Sequence, residues 1–270
     1  MKRFLVIARV GDNSLHTYWL ENAAPSFDLF LSYFGDKPNH YQAEATYYEQ
    51  VKGGKWPIIH KLIEANWELI SQYDAVWLPD DDIMTDAKTI NKMFNLFDGF
   101  DLALAQPALT MDSYFSHSSL LRQPSSVLRY SNFVEVMVPV LSASALVTLK
   151  ESFGQSPSGW GLDALWPHLI GNTDFKSIAV IDATPVIHTR PVGGELYRLN
   201  PELSPSKDAI QLQALYPQFN ISRRHAPNKF KVYCQISESK IYPSFLASII
   251  GKYQRVIAKQ RARKQTKFLS

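Results

Sequence analysis

The residues with the clearest chemical potential are three consecutive aspartates, Asp80, Asp81 and Asp82. They follow a short apolar run, residues 75–78, and Pro79. The length of that run and its valine and tryptophan are typical of a buried strand. Carboxylates at the end of such a strand repel one another and lose hydration, and a divalent cation removes that cost. Because Mg²⁺ and Mn²⁺ bind carboxylates and bridge to phosphates, the pattern predicts a metal site for a phosphorylated substrate, with a solvated acidic turn as the alternative.

A second candidate group is the turn at residues 158–163, Ser-Gly-Trp-Gly-Leu-Asp. Its glycines would let the backbone approach a ligand closely, and Asp163 falls where a helix dipole favours a carboxylate. Asp163 is therefore a candidate general base that removes a proton from an attacking hydroxyl group. Simple capping of the following helix is the alternative interpretation.

Further candidates for binding a cation or a phosphate lie at residues 188–191 and in a glycine-containing loop. His188 is a candidate third metal ligand and Arg190 could neutralise a phosphate, although a histidine at a strand end is more often structural. Lys52 and Lys55 flank two glycines and could contact phosphate from a flexible loop. The spacing is not that of a P-loop, which also requires a following serine or threonine.

The elements that must position these residues alternate between strands and helices over about the first 110 residues. Strands are predicted at residues 4–10, 27–33, 75–78, 102–106, 133–141 and 178–187, and helices at 57–72, 86–97, 142–150, 162–170 and 208–216. This alternation predicts an α/β fold with a mixed, mostly parallel central sheet flanked by helices. In an open sheet of this kind ligands bind at the carboxyl ends of the strands, where the triple aspartate is expected.

Composition narrows the class of protein. The chain has 270 residues, 46% of them hydrophobic, which suits one large domain with a substantial core. Cys234 is the only cysteine, so an internal disulfide and a thiolate zinc site are excluded. The apolar run at residues 4–8 is too short for a signal peptide, and no run approaches the length of a membrane span. We therefore expect a cytoplasmic protein.

Charge is unevenly distributed along the chain. Seven lysines and arginines lie between Lys252 and Lys267, while the remainder is mildly acidic. Apolar residues between Phe245 and Ile257 share one helical face, which predicts a basic amphipathic helix in residues 241–270. Such a helix could bind an anionic membrane surface peripherally, or could pack on the body of the protein. Nucleic acid is not an expected partner, because the body is acidic and carries no nucleic-acid-binding motif.

Five motifs together resemble a family of unknown function related to nucleotide-sugar-dependent glycosyltransferases of the GT-A fold. The motifs are residues 52–57, 76–83, 128–137, 158–163 and 188–193. The resemblance runs from about residue 4 to about residue 195. It implies a GT-A-like catalytic domain over residues 1–200, followed by an extension at 201–240 and the basic tail at 241–270.

The resemblance also implies roles for single residues. Asp80 and Asp82 would hold Mn²⁺ or Mg²⁺ against the diphosphate of a nucleotide sugar, most simply a UDP-sugar, with His188 as the late metal ligand. Asp163 matches the base of inverting members, although it stands alone where that pattern has adjacent acidic residues. The nucleoside would lie at the ends of the first two strands, near Arg9, Val10, Gly11, Asp12 and Asp36.

The substrates implied are a nucleotide-sugar donor and a glycan or lipid-linked acceptor, as in cell-surface polysaccharide or lipopolysaccharide synthesis. Asn132 and Glu135 are candidate sugar contacts, with pairing of Glu135 to a core cation as the alternative. Two other functions stay open at this point. One is a binding module of the same fold without turnover, and the other is a metal-dependent phosphohydrolase that uses the triple aspartate.

Overall fold

The computed structural model describes residues 2–171, 176–193, 204–219, 221, 230–237 and 256. The amphipathic helix predicted at residues 241–270 therefore lies outside the described residues, apart from Val256. None of the described helices is long and apolar enough to cross a lipid bilayer.

Ten strands form one central sheet within the described part of the chain. They are β1 (Phe4–Val10), β2 (Asp28–Tyr33), β3 (Tyr47–Gln50), β4 (Ala75–Trp77), β5 (Ile83–Met84), β6 (Leu104–Leu109), β7 (Ser126–Ser131), β8 (Val140–Ser142), β9 (Ile178–His188) and β10 (Val232–Ser237). Their order is β10-β7-β9-β6-β8-β4-β1-β2-β3, and β5 pairs with β9 off this path.

The direction of the strands gives a mixed, mostly parallel sheet, as predicted. β1 is parallel to β2 and to β4, and β2 is parallel to β3. Antiparallel β8 separates β4 from β6, so that β6 and its parallel neighbour β9 run in the same direction as β1. As a result, β1, β2, β4 and β9 all end at the same edge of the sheet. This is the edge at which ligands bind in open α/β sheets.

Helices cover both faces of the sheet. They are α1 (Lys55–Ala65), α2 (Trp67–Ile70), α3 (Ala87–Gly99), α4 (Ala143–Phe153), α5 (Leu162–Leu169) and α6 (Pro205–Leu215). The predicted cap of α3 is confirmed, since the Asp86 carboxylate accepts a hydrogen bond of 2.8 Å from Thr89 N. β1 is buried along its whole length, and its alternate residues enter two apolar layers, one packed on α3 and the other on α1, α4 and α5.

Three local predictions were wrong or incomplete. The helix predicted at residues 57–72 breaks at Asn66, whose side chain donates to Leu62 O and ends α1. β3, β5, β7 and β10 were not predicted, and the residues of β3 and β10 are at most partly buried. The strand predicted at residues 133–141 does not form, because only its last two residues belong to a strand, β8.

The segment at residues 132–139 is irregular because its backbone groups bond to side chains and to the turn after β4. Glu135 N donates to the buried Gln106 Oε1 at 2.6 Å. Met137 O accepts from Asp80 N, and Pro139 O accepts from Leu78 N, both at 2.9 Å. The apolar pattern of this segment therefore reflects its burial against the turn that carries the triple aspartate, and not the formation of a strand.

Candidate functional site

The structure brings Asp80, Asp82 and His188 together at the carboxyl edge of the sheet. One possible ligand atom from each residue lies within 4.8 Å of the other two. Asp82 and His188 are almost fully buried, with 6% and 5% of their surfaces exposed. Two carboxylates and one imidazole form a donor set that suits Mn²⁺ or Mg²⁺.

The approach of His188 to Asp82 follows from strand pairing. β5 pairs with the end of β9, with Ile83 opposite His188. Thr189 then donates from its backbone N (3.2 Å) and from Oγ1 (2.8 Å) to the main-chain oxygen of Asp82. These contacts hold the turn after β4 against the end of β9, although the two segments are distant in sequence.

The His188 ring is oriented by two acceptors. Nδ1 lies 2.9 Å from Tyr114 O, and Nε2 lies 3.2 Å from Asp82 Oδ2. Because a backbone carbonyl can only accept, we assign a proton to Nδ1, and in the neutral ring the Nε2 lone pair then faces Asp82. A second hydrogen bond of this kind typically fixes the tautomer of a metal-binding histidine.

Asp82 and His188 are held out of water, whereas 36% of the Asp80 side chain is exposed. Burial would lower the pKa of His188, but the hydrogen bond and charge of Asp82 outweigh it and the pKa is raised. Burial raises the pKa of the Asp80 carboxyl, against the opposing charge of Lys55. A bound cation would offset the cost of burying these carboxylates.

Lys55 supplies positive charge to the cluster from the N-terminus of α1. Its Nζ lies 2.5 Å from Asp80 Oδ1 and also donates to the carbonyls of Val136 (3.2 Å) and Met137 (3.3 Å). The sequence predicted Lys55 as a phosphate contact in a flexible loop. In the structure it connects α1, the triple aspartate and the irregular segment at 132–139.

Asp163 lies in the first turn of α5 after two glycines with positive φ. Gly159 has φ +80°, and a Cβ there would overlap Trp56 Nε1, while Gly161 has φ +89°. Only glycine adopts these conformations readily, so the turn can pass close to Trp56 and present Asp163 at the start of the helix. Asp163 Oδ1 accepts a hydrogen bond of 2.8 Å from Ala164 N.

Asp163 and Glu135 are two further acidic residues that interact electrostatically. Burial raises the pKa of the Asp163 carboxyl to about 6. Burial, followed by the negative charge of Asp163, raises the pKa of Glu135 to about 7. The charges of His188 and Asp80 also act on Glu135, so Asp163 and the metal-ligand cluster both lie within electrostatic reach of this residue. Carboxyl groups that titrate near neutral pH are typical of proton-transfer sites.

Asp81 points away from the other two aspartates. Its carboxylate accepts from Gly11 N at 2.9 Å and pairs with Arg190 Nη1 at 3.0 Å, and Arg190 also donates to Asn13 O. Burial raises the pKa of Asp81, while the Gly11 N–H and Arg190 oppose this shift. Asp81 thus joins the loop after β1 to the end of β9.

Arg9 is a buried structural link between β1, β2 and the loop that precedes α1. It donates to Ser32 O (3.1 Å), Ser32 Oγ (2.8 Å) and Gly53 O (2.8 Å). Burial lowers its pKa to about 10, so the guanidinium keeps its charge at neutral pH. Val10 is buried at the end of β1, and its carbonyl accepts from Phe34 N at 3.0 Å.

The remaining residues predicted to contact the nucleotide, Asp12, Asp36 and Lys52, interact with neighbouring side chains. The Asp12 carboxylate accepts a hydrogen bond from Tyr33 Oη, and the Asp12 carbonyl accepts from Tyr41 Oη at 2.8 Å. Asp36 and Lys52 form an exposed ion pair of 2.8 Å. Asp12, Asp36 and Lys52 follow the ends of β1, β2 and β3, respectively.

Sequence reasoning missed the loop after β6 that supports His188. Ser113 Oγ accepts from His188 N at 3.1 Å, and Tyr114 contributes both its N–H and its carbonyl to His188. Ser116 hydrogen-bonds to the Glu135 side chain. Nothing in the spacing of these residues signals a contact with a histidine more than 70 positions later.

Comparison with known proteins identifies fold neighbours only at low similarity. No protein-family model and no curated protein matches this sequence. A crystal structure of S. aureus TarS matches with a TM-score of 0.49 and 14% identity, over 83% of this chain and 44% of that one. A crystal structure of TarS 1-349 matches with 0.49 and 12%, over 79% and 66%. A mycobacterial protein matches with 0.47 and 12%, over 82% and 75%.

This chain spans less than half of the first TarS structure and about two thirds of the second. At these identities and TM-scores the likeness assigns neither a family nor an activity. Function must therefore be argued from the site itself.

Proposed function

We propose that the protein is a metal-dependent glycosyltransferase that moves a sugar from a nucleotide-sugar donor to a hydroxyl acceptor with inversion at the anomeric carbon. The observation that carries the proposal is the cluster of Asp80, Asp82 and His188, with Asp163 and this cluster both within electrostatic reach of Glu135. The cluster offers a cation site, and Asp163 offers a base whose pKa lies near neutrality.

The residues present fit a divalent cation. Asp80 and Asp82 supply hard oxygen ligands, and His188 supplies Nε2, with its ring held by Tyr114 O. When bound, Mn²⁺ or Mg²⁺ supplies Lewis-acid stabilisation to the negative charge of a leaving nucleoside diphosphate. Lys55 keeps a second positive charge beside Asp80, and Arg190 lies at the rim with 41% of its side chain exposed.

Asp163 carries out the proton transfer in this proposal. Its carboxylate takes the proton of the acceptor hydroxyl as that oxygen forms a bond to the anomeric carbon. The bond between the anomeric carbon and the diphosphate oxygen breaks, and its electron pair leaves with the nucleoside diphosphate. One displacement of this kind inverts the configuration of the sugar.

The nucleoside part of the donor would lie at the ends of β1 and β2. Gly11 is held there by Asp81, and Asp12 by the hydroxyl of Tyr33 and that of Tyr41. The ends of neighbouring parallel strands are where nucleotides bind in related sheet architectures, which supports a UDP-sugar or another nucleotide sugar as the donor.

A thermal-shift panel tests this proposal. UDP, GDP, CDP, TDP and their common hexose conjugates are each added with Mn²⁺ or with EDTA. A ligand present at 100 times its dissociation constant stabilises the folded state by about 2.7 kcal/mol, which should raise Tm by several degrees. We expect one nucleotide base to give this shift, and only with metal. If none of the nucleotides shifts Tm under either condition, the proposal is wrong.

A further inference from the structure

Glu135 is a buried carboxylate that the proposed transfer mechanism does not use. Only 5% of its surface is exposed. Its position is fixed from the backbone, because its N–H donates at 2.6 Å to Oε1 of Gln106, which is itself fully buried. The backbone at Glu135 is therefore held in place before any substrate arrives.

One oxygen of this carboxylate is left without a protein partner. Glu135 Oε2 is buried and has no hydrogen-bond partner among the described residues, whereas Ser116 interacts with the same side chain. The alternative considered from sequence, pairing with a core cation, finds no support in the ion pairs of the described part of the chain. A buried acceptor without a donor is costly, so this unmet oxygen beside the metal-ligand cluster is a candidate contact for a ligand group.

Glu135 is close to the metal-ligand cluster through its neighbours in the chain. The next two residues, Val136 and Met137, accept hydrogen bonds from Lys55, and Met137 O also accepts from Asp80 N. The Glu135 carboxyl also lies within electrostatic reach of Asp163, the proposed base. In a single displacement the sugar ring must lie between the leaving diphosphate and the base.

We propose that Glu135 accepts a hydrogen bond from a hydroxyl group of the donor sugar and thereby selects uncharged sugars as donors. This inference rests on the proposed glycosyltransferase function. At a pH above its pKa of about 7, the ionised Glu135 carboxylate recognises a hydroxyl donor and repels a second carboxylate, so hexoses are accepted and uronic acids are rejected. Glu135 is thus a specificity-determining residue.

The test compares a nucleotide with its sugar conjugates by calorimetry in the presence of Mn²⁺. The probes are UDP, UDP-glucose, UDP-galactose and UDP-glucuronate, with GDP and GDP-mannose as the second set if GDP is the nucleotide that binds. The proteins are the wild type, Glu135→Ala, Glu135→Gln and a matched control, Glu64→Gln. Glu64 lies on α1 with 51% of its side chain exposed. Unfolding of each protein without ligand is measured in parallel.

In Glu135→Ala we expect the dissociation constant of the hexose conjugate to rise about tenfold or more, and that of the free nucleoside diphosphate to change less than about twofold. Glu135→Gln should weaken the hexose conjugate less and should bind UDP-glucuronate more tightly than the wild type does. Glu64→Gln should match the wild type in all titrations.

Three results would overturn the inference. Equal losses for the nucleotide and its sugar conjugate would assign Glu135 a purely structural role. Unchanged donor binding together with a raised KM for the acceptor would move the contact to the acceptor. If the wild type binds the nucleoside diphosphate but the Glu135 variants bind each sugar conjugate as the wild type does, the proposed function stands and only the role of Glu135 is removed. If the wild type binds no nucleotide, the proposed function itself fails.

Discussion

Replacing Asp163 by asparagine is expected to lower kcat for sugar transfer by about 100- to 10,000-fold and to leave nucleotide affinity unchanged. The substitution keeps the shape of the side chain and removes its capacity to take a proton. The Asp163 carboxylate accepts a backbone hydrogen bond from Ala164, and an asparagine oxygen can accept the same bond, so the start of α5 should persist. The measurement is steady-state transfer together with calorimetric titration of the nucleotide.

The ionisation of Asp163 should also determine how the rate of transfer depends on pH. The Asp163 pKa is raised to about 6, and the base works only when deprotonated, so kcat should fall about tenfold per pH unit below about pH 6 and level off above it. The acid limb should be absent from the residual activity of Asp163→Asn.

The matched control for Asp163 is Asp98→Asn, an exposed aspartate that pairs with Lys2. It should retain the activity and pH profile of the wild type. Full activity in Asp163→Asn would contradict the assignment of the base. A wild type that binds nucleotide but transfers no sugar to any acceptor would favour a binding module of the same fold.

The second large effect is expected from Asp82→Ala, which should abolish metal-dependent nucleotide binding. The substitution removes one of three candidate ligands and leaves His188 Nε2 without its partner. Both hydrogen bonds from Thr189 go to the main-chain oxygen of Asp82, so the contact between the turn and β9 should remain. Calorimetry with Mn²⁺ should show at least about a hundredfold loss of affinity.

The control variant for Asp82→Ala is Asp81→Asn, at the neighbouring aspartate. Its carboxylate holds Gly11 and Arg190 and faces away from the cation cluster, so this variant should keep its dependence on Mn²⁺ even where nucleotide affinity falls. Unchanged nucleotide affinity in Asp82→Ala would rule out the metal assignment. Loss of metal dependence in Asp81→Asn would move the cation to a different set of ligands.

The sequence predicted the parts of the structure that depend on local pattern. β1 and β4 are fully buried and apolar apart from Arg9, and Asp86 caps α3 through its own side chain. The position of Asp80 and Asp82 after a buried strand placed them at the carboxyl edge of the sheet, because the direction of a strand fixes which end its last residues occupy.

What the sequence did not predict depends on contacts between distant segments. The residues at 133–139 have the apolar pattern of a strand, but their backbone groups bond to Gln106, Lys55 and the turn after β4. The partner of Lys55 and the carbonyl that orients His188 are likewise set by tertiary packing. Periodicity reports burial and carries no information about which distant atom satisfies a polar group.

The central claim is that Asp80, Asp82 and His188 hold a divalent cation against a nucleoside diphosphate. Crystals soaked with Mn²⁺ and the nucleotide selected by the thermal-shift panel would test it through anomalous scattering at the manganese edge. We expect one peak within about 2.5 Å of both aspartate carboxylates and of His188 Nε2, with diphosphate oxygens completing the coordination. Bound nucleotide with no manganese peak at these three residues would contradict the account.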